Sequence, residues 1–355
     1  MDAFVYQSLP IRVIFGWNRI DALAEEIERL GARRALILTT PEQRELGERI
    51  AGLLGERSAG VYPQAVMHVP VEVAQAACEE AKRLGADCCV AVGGGSTIGL
   101  GKAIALEFGL PILAIPTTYA GSEMTPIYGL TDNRLKRTGR DVRVLPRTVI
   151  YDPQFSLSLP ADISACSGMN AMAHAIEALY AEDANPIVSL MAEDSIRALA
   201  EALPTIVDDP QDRQARGRAL YGAWLAGICL GSVGMAIHHK LCHTLGGTFN
   251  LPHAQSHAVL LPYSVNYNRD AARPALERAA RALGGSQAEE VGGLLYALNR
   301  RIGVPTSLAE IGFPPEGPAE TARIACSNPY YNPRPFEADA IQALLERARA
   351  GMPPA

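Results

Sequence analysis

The 355-residue chain carries no surplus of positive charge: 32 Lys and Arg stand against 38 Asp and Glu, a formal net charge of -6. No basic block and no Cys/His finger occurs, so nucleic acid is not an expected partner. An anionic small molecule is not excluded, because one Arg or Lys in a pocket outweighs a weak global field. None of the seven cysteines falls in a CxxC arrangement. They sit mostly among apolar neighbours and read as small buried hydrophobes of a reducing compartment. The start, "MDAFVYQSLP", lacks a basic region followed by an apolar run, so no signal peptide is expected. No apolar stretch reaches the roughly 20 residues that span a bilayer. These absences predict a cytoplasmic protein without a membrane partner.

What remains is a globular composition, 48% hydrophobic and 20% charged. The length suffices for two domains of roughly 100–200 residues each. Up to Pro153 short apolar runs alternate with helical ones. "RALILTT" (34–40), "SAGVYP", "CCVAVGG" (88–94), "PILAIPTT" (111–118) and "TVIYDP" (148–153) read as strands. Between them lie helical stretches at 41–54, 71–85 and 97–109. Near-continuous apolar strands joined by helices predict a Rossmann-like parallel sheet covered on both faces. Beyond about residue 160 apolar residues recur at helical spacing and β-rich pieces are scarce. The expected division is an α/β domain over 1–158 and an all-helical domain over 159–355.

In the first domain "AVGGGSTIGLGKAIA" follows a strand and opens a helix. Glycines let phosphate oxygens approach the backbone, and free amides at a helix start favour negative charge. Gly93, Gly94, Gly95, Ser96, Thr97 and Lys102 are therefore candidate cofactor-binding residues. "PTTYAGSEMT" follows the next strand and adds Thr117, Thr118 and Ser122. Both loops leave the carboxyl ends of strands, where doubly wound sheets bind ligands. Thr39 ends the first of the strands in the alternating run. No acidic residue stands there to repel a 2'-phosphate, so both NADH and NADPH remain possible cofactors.

Six of the seven histidines lie between 174 and 257: His174, His238, His239, His243, His253 and His257, with His68 apart. In "GMNAMAHAIEALY", Asn170 and His174 share one helical face, as do His239 and His243 further on. His253 follows a turn rich in Gly, Asn and Pro. Asn170, His174, His239 and His253 outline a divalent-metal site in which Asn replaces a carboxylate, removing a ligand and the charge that offsets the ion. His238 points about 100° away from His239 and reads as a supporting or packing residue. His257 and His68 lack a partner at a telling spacing and read as core histidines.

Taken in order, "GGGSTIGLGKAIA", "IPTTYAGSE", "GMNAMAHAIEA", "HHKLCHTLGGTFNLPHA" and "NPYYNPRP" (328–335) resemble the iron-containing alcohol dehydrogenase superfamily over nearly the whole chain. Within it the chain is similar to the maleylacetate reductases, whose opening resembles "FVYQSLPIRVIFG". The resemblance implies the dehydroquinate synthase-like fold, a nicotinamide cofactor on the first domain and a homodimer. Metal-dependent members use an Asp and three His at positions matching Asn170, His174, His239 and His253; a further family histidine matches His243. Asn170 and the resemblance together imply an enzyme without bound metal.

The implied reaction is reduction of the carbon–carbon double bond of maleylacetate, and of chloro-substituted maleylacetates, to 3-oxoadipate by NADH or NADPH in the breakdown of aromatic compounds. Hydride addition places negative charge on the ketone oxygen, and oriented donors stabilise such an enolate. His243 is the expected proton donor and His253 the expected oxyanion stabiliser, with His239 as a further candidate. Arg334 and Lys240 are candidates for the carboxylates of the substrate. The alternatives are a metal-dependent NAD(P) alcohol dehydrogenase and a non-catalytic nucleotide sensor.

Overall fold

The computed structural model describes residues 3–67, 69–132 and 135–354. His68 lies outside the described residues. Two compact units result, Leu9–Leu159 and Pro160–Ala355, and the chain start as far as Ser8 groups with the second rather than with the sheet.

The first unit contains strands β1 (Arg12–Phe15), β2 (Ala35–Leu38), β3 (Ser58–Tyr62), β4 (Cys88–Gly93), β5 (Ile112–Pro116), β6 (Ile127–Asp132), β7 (Leu135–Arg140) and β8 (Thr148–Tyr151). Its helices are α1 (Leu23–Arg29), α2 (Arg44–Leu54), α3 (Val71–Arg83) and α4 (Gly95–Phe108). Six strands form one parallel sheet in the order β1-β8-β5-β4-β2-β3. The central strands are wholly buried and largely apolar, as in "ALIL" and "ILAIP", because helices cover both faces of a parallel sheet. The edge strands β1 and β3 are only partly buried. The chain runs from β2 to β3 on one side, then crosses back to β4 on the other. The strand order therefore reverses between β2 and β4, which is where open α/β sheets bind ligands. Glycines past the helix ends, Gly85 (φ 62°) and Gly109 (φ 68°), stop α3 and α4 in the left-handed conformation. The antiparallel hairpin β6–β7 is an addition that the apolar pattern does not predict.

The second unit is helical: α5 (Ala161–Leu179), α6 (Pro186–Asp208), α7 (Arg213–Ser232), α8 (Ile237–Phe249), α9 (His253–Tyr267), α10 (Arg273–Ala282), α11 (Val291–Arg301), α12 (Gly317–Ser327) and α13 (Ala338–Ala350). Every residue of α5 from Ser164 to Leu179 is buried. A helix buried all round is the core of its domain, and α6, α7 and α9 pack on it. Gly168 permits one of these approaches, since a Cβ there would lie 2.5 Å from Leu203 Cδ2. Helix α6 begins where Asn185 Oδ1 accepts the Val188 amide and Pro186 occupies the first turn. The long helical run at 215–247 is not one helix. It breaks after Ser232, and α7 and α8 meet at 93°. Among the described residues no single helix is long and apolar enough to cross a membrane.

Candidate functional site

In the sheet unit the reversal point is built from backbone. Gly93, the last residue of β4, has φ 154°, and a Cβ there would overlap Thr97 Oγ1. A Cβ on Gly94 would come 3.0 Å from Thr118. Gly94 precedes α4 without a side-chain cap, so the first amides of α4 are left for an acceptor from outside the helix. Thr39 Oγ1 and Thr97 Oγ1 are buried without a hydrogen-bond partner. A cradle that a side chain would fill, amides at a helix start and orphaned hydroxyls fit the phosphates of a dinucleotide. Thr117 donates its amide to Gly93 O and its hydroxyl accepts from Gln43 Nε2 at 3.1 Å, which locks the second candidate loop onto the first. Gln43 has no sequence signal beyond its place after Thr39.

Lys102 is a correction. It is buried, and its Nζ donates to Ser122 O (2.7 Å), Thr125 O (2.9 Å), Thr125 Oγ1 (3.1 Å) and Ile127 O (2.6 Å). Its hydrogens are spent inside the protein, so it clamps α4 to the segment 122–127 instead of meeting a cofactor. Ser122 takes part through its carbonyl. Burial lowers the Lys102 pKa to about 7, with Glu123 opposing.

In the helical unit the candidate residues come together. Asn170, His174 and Glu177 lie at i, i+4 and i+7 on α5 and are all buried. Glu177 was not singled out in the sequence, although this spacing on one face of an apolar helix marks it. Its carboxylate accepts the amides of Ala236 (2.8 Å) and His238 (2.7 Å), capping α8 just after the break. It also accepts His239 Nδ1–H at 2.7 Å. That bond fixes the His239 tautomer and leaves Nε2 as a lone pair. The His174 and His239 rings stack with centroids 5.0 Å apart. His243 and His253 lie nearly parallel, centroids 6.4 Å apart, and His253 is 4.3 Å from His257. Asn250, left-handed at φ 54°, ends α8, and α9 starts at His253, so a short turn brings the two helices together.

Three of these groups have a buried polar atom without a partner: Asn170 Oδ1, His174 Nδ1 and His239 Nε2. Burial, and then the neighbouring imidazoles, hold the pKa of His174 well below the usual range, so it is neutral. Orphaned buried polar atoms cost free energy, and their clustering marks a place that receives a ligand.

The segment "NPYYNPRP" folds against α8 and α9. Tyr330 OH lies 3.1 Å from His243 Nδ1, and Lys240 Nζ stands 5.4 Å from the Tyr330 ring. Asn332 exchanges two hydrogen bonds with Asn268, at 2.8 and 2.6 Å, and anchors the segment. Arg334 stacks on Tyr267 at 4.1 Å and pairs with Glu337 at 3.0 Å. The structure thus brings Lys240 to His243 through Tyr330, whereas Arg334 holds the segment in place.

Family models match both parts of the chain: "Iron-containing alcohol dehydrogenase" over residues 10–153 and "Fe-containing alcohol dehydrogenase family, C-terminal" over 164–349. A maleylacetate reductase of Burkholderia cepacia is 58% identical over 354 residues, covering 100% of both chains. The crystal structure of maleylacetate reductase from Agrobacterium tumefaciens superposes with a TM-score of 0.96 at 51% identity, covering 100% of both chains. That from Rhizobium sp. strain MTP-10005 gives 0.95 at 52%, again over 100% of both.

The chain belongs to the iron-containing alcohol dehydrogenase family, among its maleylacetate reductases.

Membership sharpens the question of metal, and the expectation of an enzyme without one is corrected. Among the described residues His238, Cys242 and His257 bring three donor atoms within 4.8 Å of one another, a group able to hold a metal ion. His238 and Cys242 are one turn apart on α8, and His257 faces them from α9. The separations are 3.0 Å from His238 Nε2 to His257 Nδ1 and 3.7 Å from His238 Nε2 to Cys242 Sγ. Metal–nitrogen and metal–sulfur bonds of about 2.0–2.3 Å at tetrahedral angles separate donors by about 3.3–3.6 Å, so these two separations need to shift by only a few tenths of an ångström to seat an ion, and the third, Cys242 Sγ to His257 Nδ1, lies within 4.8 Å. The expectation failed because it weighed only the positions matching the family ligands, where Asn170 replaces the carboxylate. His238 and His257 had been read as packing.

Proposed function

We propose that the chain reduces maleylacetate, and chloro-substituted maleylacetates, to 3-oxoadipate with NADH or NADPH, as a cytoplasmic homodimer. The observation that carries this reading is the full-length identity of 58% and 52% to enzymes named for that reaction. The reaction balances as maleylacetate + NAD(P)H + H+ giving 3-oxoadipate + NAD(P)+. The glycine cradle at the end of β4 binds the cofactor phosphates. Hydride goes from the nicotinamide to the alkene carbon β to the ketone, and the electron pair moves onto the ketone oxygen. His253 stabilises that oxyanion by donating a hydrogen bond, whereas His239, its Nδ1–H held by Glu177, turns a lone pair to the site and is no donor. His243 delivers the proton to the carbon next to the ketone, and Tyr330 holds its imidazole at Nδ1. Lys240 offers positive charge to a substrate carboxylate. Asn170 contributes an uncharged amide where an Asp would repel a dianion. A divalent ion held by His238, Cys242 and His257 would supply a fixed positive charge beside these imidazoles.

The test is NAD(P)H oxidation by the purified chain with maleylacetate, followed by identification of the product. Stoichiometric 3-oxoadipate formation, with no oxidation of simple alcohols, is expected. Turnover of alcohols without turnover of maleylacetate would replace this reading with an alcohol dehydrogenase.

A further inference from the structure

The His238–Cys242–His257 group has a hydrogen-bond pattern that can be traced atom by atom. Ser264 Oγ donates its one hydrogen to the backbone, with Leu261 O at 3.0 Å and Leu260 O at 3.3 Å. It therefore accepts from His238 Nδ1–H at 2.9 Å. With its hydrogen on Nδ1, His238 presents the lone pair of Nε2. That single in-plane lone pair faces two groups, His257 Nδ1 at 3.0 Å and Cys242 Sγ at 3.7 Å. Without an ion, two hydrogens compete for one acceptor. The anchoring of His238 through its other nitrogen is the arrangement that metal-bound histidines adopt.

We propose that His238 Nε2, Cys242 Sγ and His257 Nδ1 bind one divalent ion of the zinc class, in a buried centre distinct from the family ligand positions. Thiolate with two imidazoles favours a borderline-soft ion over magnesium or calcium. All three side chains are at most 1% exposed, so the centre lies inside the α8–α9 contact. The proton balance is simple. The Cys242 thiol proton leaves to solvent, and the His257 proton moves from Nδ1 to Nε2, which has no partner. Ion and thiolate leave one positive charge. The Glu177 carboxylate, bound to the His238 amide, offsets it. Metal occupancy thus converts His257 Nε2 from acceptor to donor, on a ring 4.3 Å from His253 and 4.9 Å from His239.

The test uses the full-length protein, freed of metal by a chelator and titrated with Co2+. One equivalent should bind with a thiolate-to-cobalt charge-transfer absorption. Cys242→Ser should lose that band, and His174→Gln, at a family position, should keep it. Cobalt bound without the band, a band surviving in Cys242→Ser, or no binding each overturns the proposal. Should Cys242→Ser not fold, X-ray absorption of the zinc-loaded wild-type protein decides. One sulfur at about 2.3 Å is expected, and a shell of nitrogen and oxygen only refutes the centre. The outcome is separate from that of the proposed reaction, which is read from 3-oxoadipate formation.

Discussion

The two units build their sites from opposite materials. At the end of β4 the working groups are backbone amides and the space left by absent side chains at Gly93 and Gly94. In the helical unit they are side chains, eight of them buried or gathered on α5, α8 and α9: Asn170, His174, Glu177, His238, His239, His243, His253 and His257. A cofactor phosphate is bound well by amides that need no particular residue beyond glycine. A proton must come from one named atom. Substitutions should therefore act in different ways. In the helical unit they should remove chemistry while leaving cofactor affinity alone, and in the sheet unit the reverse.

The largest effect is expected at His243. His243→Ala should lower kcat on maleylacetate by about a hundred- to ten-thousandfold, the usual weight of a positioned general acid, with KM for NAD(P)H unchanged. Steady-state kinetics in both substrates checks this. Normal turnover would remove His243 from proton transfer. A parallel rise in cofactor KM would break the contrast between the units.

Gly93→Ala should do the opposite. The new Cβ would overlap Thr97 Oγ1 at a φ of 154°, so the start of α4 must shift. Cofactor Kd should rise about tenfold or more, equivalent to at least about 1.4 kcal/mol, measured by quenching or calorimetry. Turnover at saturating cofactor should stay within a fewfold of normal. Unchanged affinity would mean that the phosphates do not use this turn.

The same contrast explains how much could be read from the residues. The parallel sheet, the helical second half and the glycine loop were legible because period and glycine spacing report local backbone geometry. His174, His239, His243 and His253 were legible because imidazoles at i, i+4 on apolar helices are conspicuous. Tyr330 was not, and Glu177 showed its position on the face but not its partners. Glu177 matters because the chain breaks at Val233–Ala236 and presents the α8 amides and the His239 ring to it. Tyr330 matters because Asn332 and Asn268 fold a distant segment back. The metal-capable triad was missed for a related reason: His238 and Cys242 sit on α8, and only the turn at Asn250 brings His257 to them.

Lys102 is a buried charged side chain of the sheet unit, and it sharpens the contrast through pH. Its folded pKa is depressed to about 7 by burial, against an ordinary lysine near 10.5. Between these values the unfolded chain binds the proton and the folded chain does not, so stability rises with pH. Below about pH 7 both states are protonated and the dependence disappears. From about pH 7 to 8.5, before the cysteines of the unfolded chain ionise, Lys102 should add up to about 1.4 kcal/mol of unfolding free energy per pH unit. Denaturant titrations across that window should show this slope in the wild-type chain and lose it in Lys102→Met. The variant also leaves the carbonyls of Ser122, Thr125 and Ile127 without their donor. It should therefore be less stable throughout, while its kcat at saturating cofactor stays near normal, because the clamp acts on the segment 122–127 and not on the proposed proton donor His243. A slope identical in both proteins would show that the four oxygens hold Lys102 charged in the fold despite its burial.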